Sequence, residues 1–136
     1  MTEKKEINLP SQIESVEKAA QAAVDFASKS GFDADALFAI DMAMREVAAN
    51  AVKHGNREDE TKPVEITFEI REEGLWITVR DFGEGFAVEE IPDPTNPENL
   101  LKASGRGILF MRSFMDEVEW SIHREGGMIV KMLKKR

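Results

Sequence analysis

The chain has no cysteine. That excludes disulfides, thiolate catalysis and thiolate metal sites. It is compatible with a reducing cytoplasm, where we expect the protein to act. No apolar run reaches the roughly 18 residues of a membrane span, and the charged start Met-Thr-Glu-Lys-Lys-Glu leads into no apolar secretory region. Basic charge is scarce: 18 Lys and Arg stand against 26 Asp and Glu, for a net charge of −8. Direct nucleic-acid binding is therefore not expected, because phosphate contacts need clustered cations, and the basic tail from Lys131 to Arg136 is too short to reverse the balance. Neither G-x-x-x-x-G-K-[ST] nor a G-x-G-x-x-G at a first strand–helix turn occurs, which excludes a P-loop and argues against a dinucleotide fold.

What is present is an ordinary globular composition. The 136 residues are 42% hydrophobic and 32% charged, enough for one domain over 1–136 with a real core. Residues 5–9 alternate polar and apolar and stop at Pro10, as a short edge strand does. Ser11 with Glu14 three residues on has the capping-box pattern and predicts a helix over 12–29 that Gly31 ends. Asp33 or Asp35 then starts a second helix, which runs to Gly55. Its apolar stripe is Leu37, Ile40, Met44, Val47, Ala48 and Ala51.

From Pro63 the period changes to two. Val64, Ile66, Phe68 and Ile70, then Leu75, Ile77 and Val79, form two strands around the turn Glu72-Glu73-Gly74. Residues 87–104, with three prolines, read as a long loop, the kind that is usually functional or disordered. A third helix is expected over 108–115, a strand over 118–122, a turn at 124–127 and a closing strand over 128–133. The resulting fold class is an α+β two-layer sandwich, a mixed, mostly antiparallel sheet with helices on one face.

Three constellations invite chemistry. Glu46 and Asn50 lie four apart on the second helix, stacked on one face among Ala48, Ala49 and Ala51. Alone they read equally well as a polar pair facing water. Asp81-x-Gly83-x-Gly85 ends a strand, and its glycines permit close approach of a ligand to the backbone. Gly105-Arg106-Gly107 opens a helix, whose first N–H groups and dipole suit phosphate, with Arg106 adding a fork of donors.

In this order and at these spacings the three resemble the boxes of the GHKL ATPase superfamily, the histidine-kinase-like ATPase fold. The chain looks most like the small anti-sigma factor serine/threonine kinases of bacterial partner-switching systems. Glu46 to Gly55 resembles the N box, Asp81 to Phe86 the G1 box, and Ser104 to Val118 the G2 box with the helix and strand that follow. The resemblance implies ATP and ADP as nucleotides and Mg²⁺ as metal. Glu46 would be the general base and Asn50 the Mg²⁺ ligand, while Asp81 would accept from the adenine amino group. Gly83 and Gly85 would let the backbone approach the nucleotide, and 87–104 would be the ATP lid. Gly105, Arg106 and Gly107 would hold the phosphates, with Lys53 a further candidate for phosphate. His54 is expected to pack or hydrogen-bond at the helix end.

The resemblance also implies partners: an anti-anti-sigma protein of the STAS type, a sigma factor, and a second copy of the chain in a homodimer, with the first strand and helix as the docking region. In one place the sequence departs from the family pattern. Where the closing hairpin usually carries hydroxyl residues after its glycines, this chain has Met128 and Ile129. A sensor histidine kinase is not expected, since the only histidines are His54 and His123 and neither sits on a dimerising helix pair. A gyrase-like ATPase would need a transducer domain, for which the chain is too short. The competing reading is a non-catalytic module that binds a regulator in a nucleotide-dependent way.

Overall fold

A computed structural model describes residues 3–83 and 111–136. The described elements are β1 (Lys4–Pro10), α1 (Glu14–Lys29), α2 (Ala34–Asn50), β2 (Pro63–Arg71), β3 (Gly74–Arg80), β4 (Glu117–Ile122) and β5 (Met128–Lys135). The strands form one sheet in the order β1-β2-β3-β5-β4.

Every pairing among the described residues is antiparallel, so the sheet is not mixed as the sequence suggested. The reason lies in the placement of β5. Strands β3 and β4 do run parallel, as the ends of a long crossover. The β4–β5 hairpin folds back so that β5 inserts between them, and no parallel pair is adjacent.

Alternation assigns the faces. Ile66 opposite Val79, and Ile77 opposite Met132, point inward. Glu65, Thr67 and Glu69 take the other side of β2 and are half-buried. Both helices cover the inner face. The inner side of α1 is nearly all alanine, with Ala19, Ala20, Ala23 and Ala27 fully buried, so α2 can lie close beside it. From α2 come the larger groups, Ile40, Met44 and Val47, which meet Phe68, Ile77 and Val79 in the core. The Phe26 ring stacks on Phe68 at 5.6 Å between centroids and seats α1 on β2. Arg45 makes a forked contact with Glu17 (2.5 and 3.2 Å) and ties the outer sides of the two helices.

Some local expectations change. Ser11 is not a helix cap: α1 has no side-chain cap bond at its start. Instead Ser11 is buried and its Oγ donates to the Lys62 carbonyl at 2.5 Å. The competing partner wins because burial requires the hydroxyl to be satisfied. Asp33, rather than Asp35, caps α2, accepting from the Ala36 N–H at 2.9 Å. Helix α2 does not continue as an α-helix to Gly55. Residues Ala51–Gly55 form a π turn, with the Asn56 N–H reaching the Ala51 carbonyl at 2.8 Å. The third helix is described only at Met111 and Arg112, after which Ser113 turns, short of the Met115 expected.

Candidate nucleotide site

The site grows from the end of β3. Strand pairing with β5 stops at Arg80 opposite Ile129, and one residue on, the Asp81 N–H still donates to the Met128 carbonyl at 3.0 Å. Asp81 is only 2% exposed. A buried carboxylate is tolerable when hydrogen bonds replace its water. Oδ1 accepts from the Met128 N–H at 3.0 Å and from the Gly83 N–H at 3.1 Å. The second of these is an Asx turn, an aspartate bonding backbone two residues on.

Close packing explains the glycines. A Cβ at Gly83 would stand 1.8 Å from the Gly55 carbonyl oxygen, and one at Gly127 would stand 2.1 Å from the Asp81 carbonyl oxygen. Gly127 also has φ +89, in the left-handed region. The β3 end, the π turn and the β4–β5 turn thus meet backbone to backbone around one carboxylate.

Asp81 lies in a cavity with Val79, Met128 and Val130 from the sheet, Val47, Asn50 and Ala51 from α2 and the π turn, and Met111. The walls are apolar except for Asp81 and Asn50. Asn50 is 8% exposed. Glu46, one turn earlier on α2, is half-buried, and its side chain makes no hydrogen bond or ion pair with the other described residues. The structure therefore brings Asp81, Asn50 and Gly83 together and leaves Glu46 on the same helix, one turn from Asn50. Lys53 and His54 fall in the π turn, are exposed and do not line the cavity. An exposed His54 is not packed, which leaves the hydrogen-bonding half of its expected role. Gly85, Gly105, Arg106, Gly107 and the expected lid 87–104 lie outside the described residues.

Met128 has two roles that its side chain alone does not reveal. Its backbone holds Asp81 through both N–H and carbonyl, while its side chain lines the cavity. Sequence reasoning missed Asn56 altogether. It is 1% exposed and bonded to three separate segments. The only local hint is an asparagine directly after a helix-terminal glycine; its partners are all distant in sequence, apart from the Lys62–Pro63 stretch.

Comparisons with known proteins bear on the family and the fold. Residues 9–134 match the family model described as a histidine kinase-like ATPase domain. The serine-protein kinase RsbW of Bacillus licheniformis is 33% identical over 114 residues, covering 79% of this chain and 70% of that protein. The anti-sigma F factor of Heyndrickxia coagulans is 38% identical over 94 residues, covering 65% of this chain and 63% of that one. Among solved structures, a Mycobacterium tuberculosis chain containing RsbU and RsbW domains superposes with a TM-score of 0.72 at 16% identity. That match covers 98% of this chain and 32% of the other, and it bears on the fold alone.

Proposed function

The chain belongs to the histidine kinase-like ATPase domain family, and from that premise we propose that it is an ATP-dependent protein serine/threonine kinase and anti-sigma factor of a bacterial partner-switching system. It phosphorylates an anti-anti-sigma protein of the STAS type and sequesters a sigma factor, acting in the cytoplasm as a homodimer. Its relatives are named serine-protein kinase and anti-sigma factor. Among the described residues, no helix is long and apolar enough to cross a membrane.

One observation carries the reading. A buried carboxylate, held by two backbone N–H groups, lies in an otherwise apolar cavity whose helix wall carries a carboxamide. The chemistry of this lining suits a purine: apolar side chains with an acceptor for its amino group. The cavity measures about 10 Å³, room for one water. A purine is admitted as Met111 and Met128, both unbranched and adaptable, repack around it.

Asn50 offers a side-chain oxygen of the kind a hard cation takes, so the residues fit Mg²⁺ as well. Among the described residues no three acidic or histidine side chains converge, so the cation would be shared with phosphate oxygens rather than caged by protein. When bound, Mg²⁺ supplies neutralisation of phosphate charge. Gly105, Arg106 and Gly107 are the proposed phosphate cradle. Glu46 accepts the proton of the partner's serine hydroxyl as its oxygen bonds to the γ-phosphorus. The bond from that phosphorus to the bridging oxygen breaks, and ADP leaves.

The test is incubation with labelled ATP and a small α/β anti-anti-sigma domain. Label is expected on a partner serine or threonine. Glu46→Gln should cut transfer by about 100-fold or more while ADP affinity stays within about threefold. ADP binding without any transfer by the unsubstituted chain would refute the kinase and leave the non-catalytic binding module.

A further inference from the structure

We propose that Asn56 is a positioning residue of the nucleotide site, setting purine affinity and selectivity through the backbone that carries Asp81. This rests on the nucleotide reading above.

Beyond Asp81 the sheet offers no further partner, since β3 pairs with β5 only as far as Arg80 opposite Ile129. The next N–H, that of Phe82, donates to Asn56 Oδ1 at 2.7 Å. This bond fixes the peptide plane attached directly to Asp81, and with it the direction in which the carboxylate leaves the chain. The Asx turn from Gly83 to Asp81 Oδ1 closes one residue further on and depends on the same plane.

The other end of the carboxamide is anchored. Nδ2 donates to Ser11 Oγ at 2.7 Å and to the Pro63 carbonyl at 2.9 Å. Ser11 Oγ in turn donates to the Lys62 carbonyl. Acceptors surround Nδ2 and a single donor faces Oδ1, so the amide has one consistent orientation. At 1% exposure, water cannot substitute for any of these bonds. The Asp81 turn is therefore clamped, through one side chain, to the turn after β1 and the start of β2. Both lie outside the cavity, so the clamp's two ends separate experimentally.

Ser11→Ala cuts an anchor and leaves the Phe82 bond; Asn56→Ala removes both ends; Asn56→Asp keeps an acceptor for Phe82 but loses the donors. Thermal melting, calorimetry with ADP, and steady-state kinetics with ATP and GTP are measured on the full chain. We expect Asn56→Ala to raise the ADP Kd and the ATP KM by about tenfold or more. It should narrow the ATP-over-GTP preference and leave kcat within about twofold. Ser11→Ala should melt lower with Kd and preference unchanged. If Asn56→Ala does not fold, Asn56→Asp decides: it should melt lower yet keep ADP affinity within about threefold. The inference is overturned if folded Asn56→Ala keeps wild-type Kd and preference, if Ser11→Ala loses affinity in step with its melting temperature, or if Asn56→Asp binds tenfold more weakly. Failure of the unsubstituted chain to bind ADP overturns the nucleotide reading itself, and this inference with it.

Discussion

Replacing Gly83 with alanine tests the backbone packing around Asp81 most directly. The added methyl would stand 1.8 Å from the Gly55 carbonyl oxygen, where ordinary contact begins at 3.4 Å, so the two segments must part by about 1.6 Å. Neither side yields cheaply. The clashing atom is backbone, at the end of a π turn whose own bond, Asn56 N–H to Ala51 carbonyl, is 2.8 Å. Gly83 is held by its bond to Asp81, and the preceding residue by Asn56. Overpacking of this kind costs about 1–3 kcal/mol. Losing the Gly83 bond to the carboxylate adds about 1–2 kcal/mol.

We expect a loss of about 3 kcal/mol, or about 10 °C in Tm for a domain of this size. Nucleotide affinity should fall by about tenfold for each 1.4 kcal/mol of that cost expressed in the site. Scanning calorimetry reads the first and titration with ADP the second. Gly31→Ala is the control. Gly31 has φ +92 but nothing within 4 Å of the added carbon, so only backbone strain of about 1–2 kcal/mol is felt and ADP affinity is untouched. A Gly83→Ala protein that melts within about 2 °C of wild type and binds ADP equally well would refute the packing argument.

Two further outcomes follow from the helices. Asp33→Ala removes the cap bond to Ala36 and should cost about 1 kcal/mol, a fall of a few degrees in a thermal melt, with ADP affinity unchanged; no change in melting would mean water replaces the cap fully. The Arg45 guanidinium hydrogen-bonds Glu17 and holds its carboxyl below the usual value of 4.5. The folded form thus gains stability that is present above the unfolded value and lost as pH falls through the folded one. The Tm gap between wild type and Glu17→Gln should close as pH drops below about 4.5 and shrink in high salt. A gap independent of pH would mean the pair contributes packing, not charge.

The sequence by itself determined much of this protein. Alternation in 64–70 and 75–79 set two strands and their inner faces, because one face of a pleated sheet must be buried. The 3.6-residue stripe from Ile40 to Ala51 set the wall of the cavity. Glu46 and Asn50 were legible as a pair from spacing, and Asp81-x-Gly83 from its position after a strand. Each of these signals is local.

What the tertiary structure alone decided is long-range. Ser11 carries the pattern of a helix cap, yet it bonds to the Lys62 carbonyl 51 residues away, because a buried hydroxyl takes the partner that burial leaves it. The insertion of β5 between β3 and β4 made the sheet wholly antiparallel among the described strands, and no pattern within either strand encodes its neighbour. The π turn over Ala51–Gly55 replaced the last stretch of the expected α-helix and carries Lys53, which is exposed and outside the cavity lining. Met128 lacks the hydroxyl expected there, yet its backbone N–H holds the aspartate. Asn56 had no pattern at all, since its role consists of bonds to residues 11, 63 and 82. Periodicity reports which side of an element is buried. Which polar groups meet across elements depends on how those elements pack, and that is where this site is made.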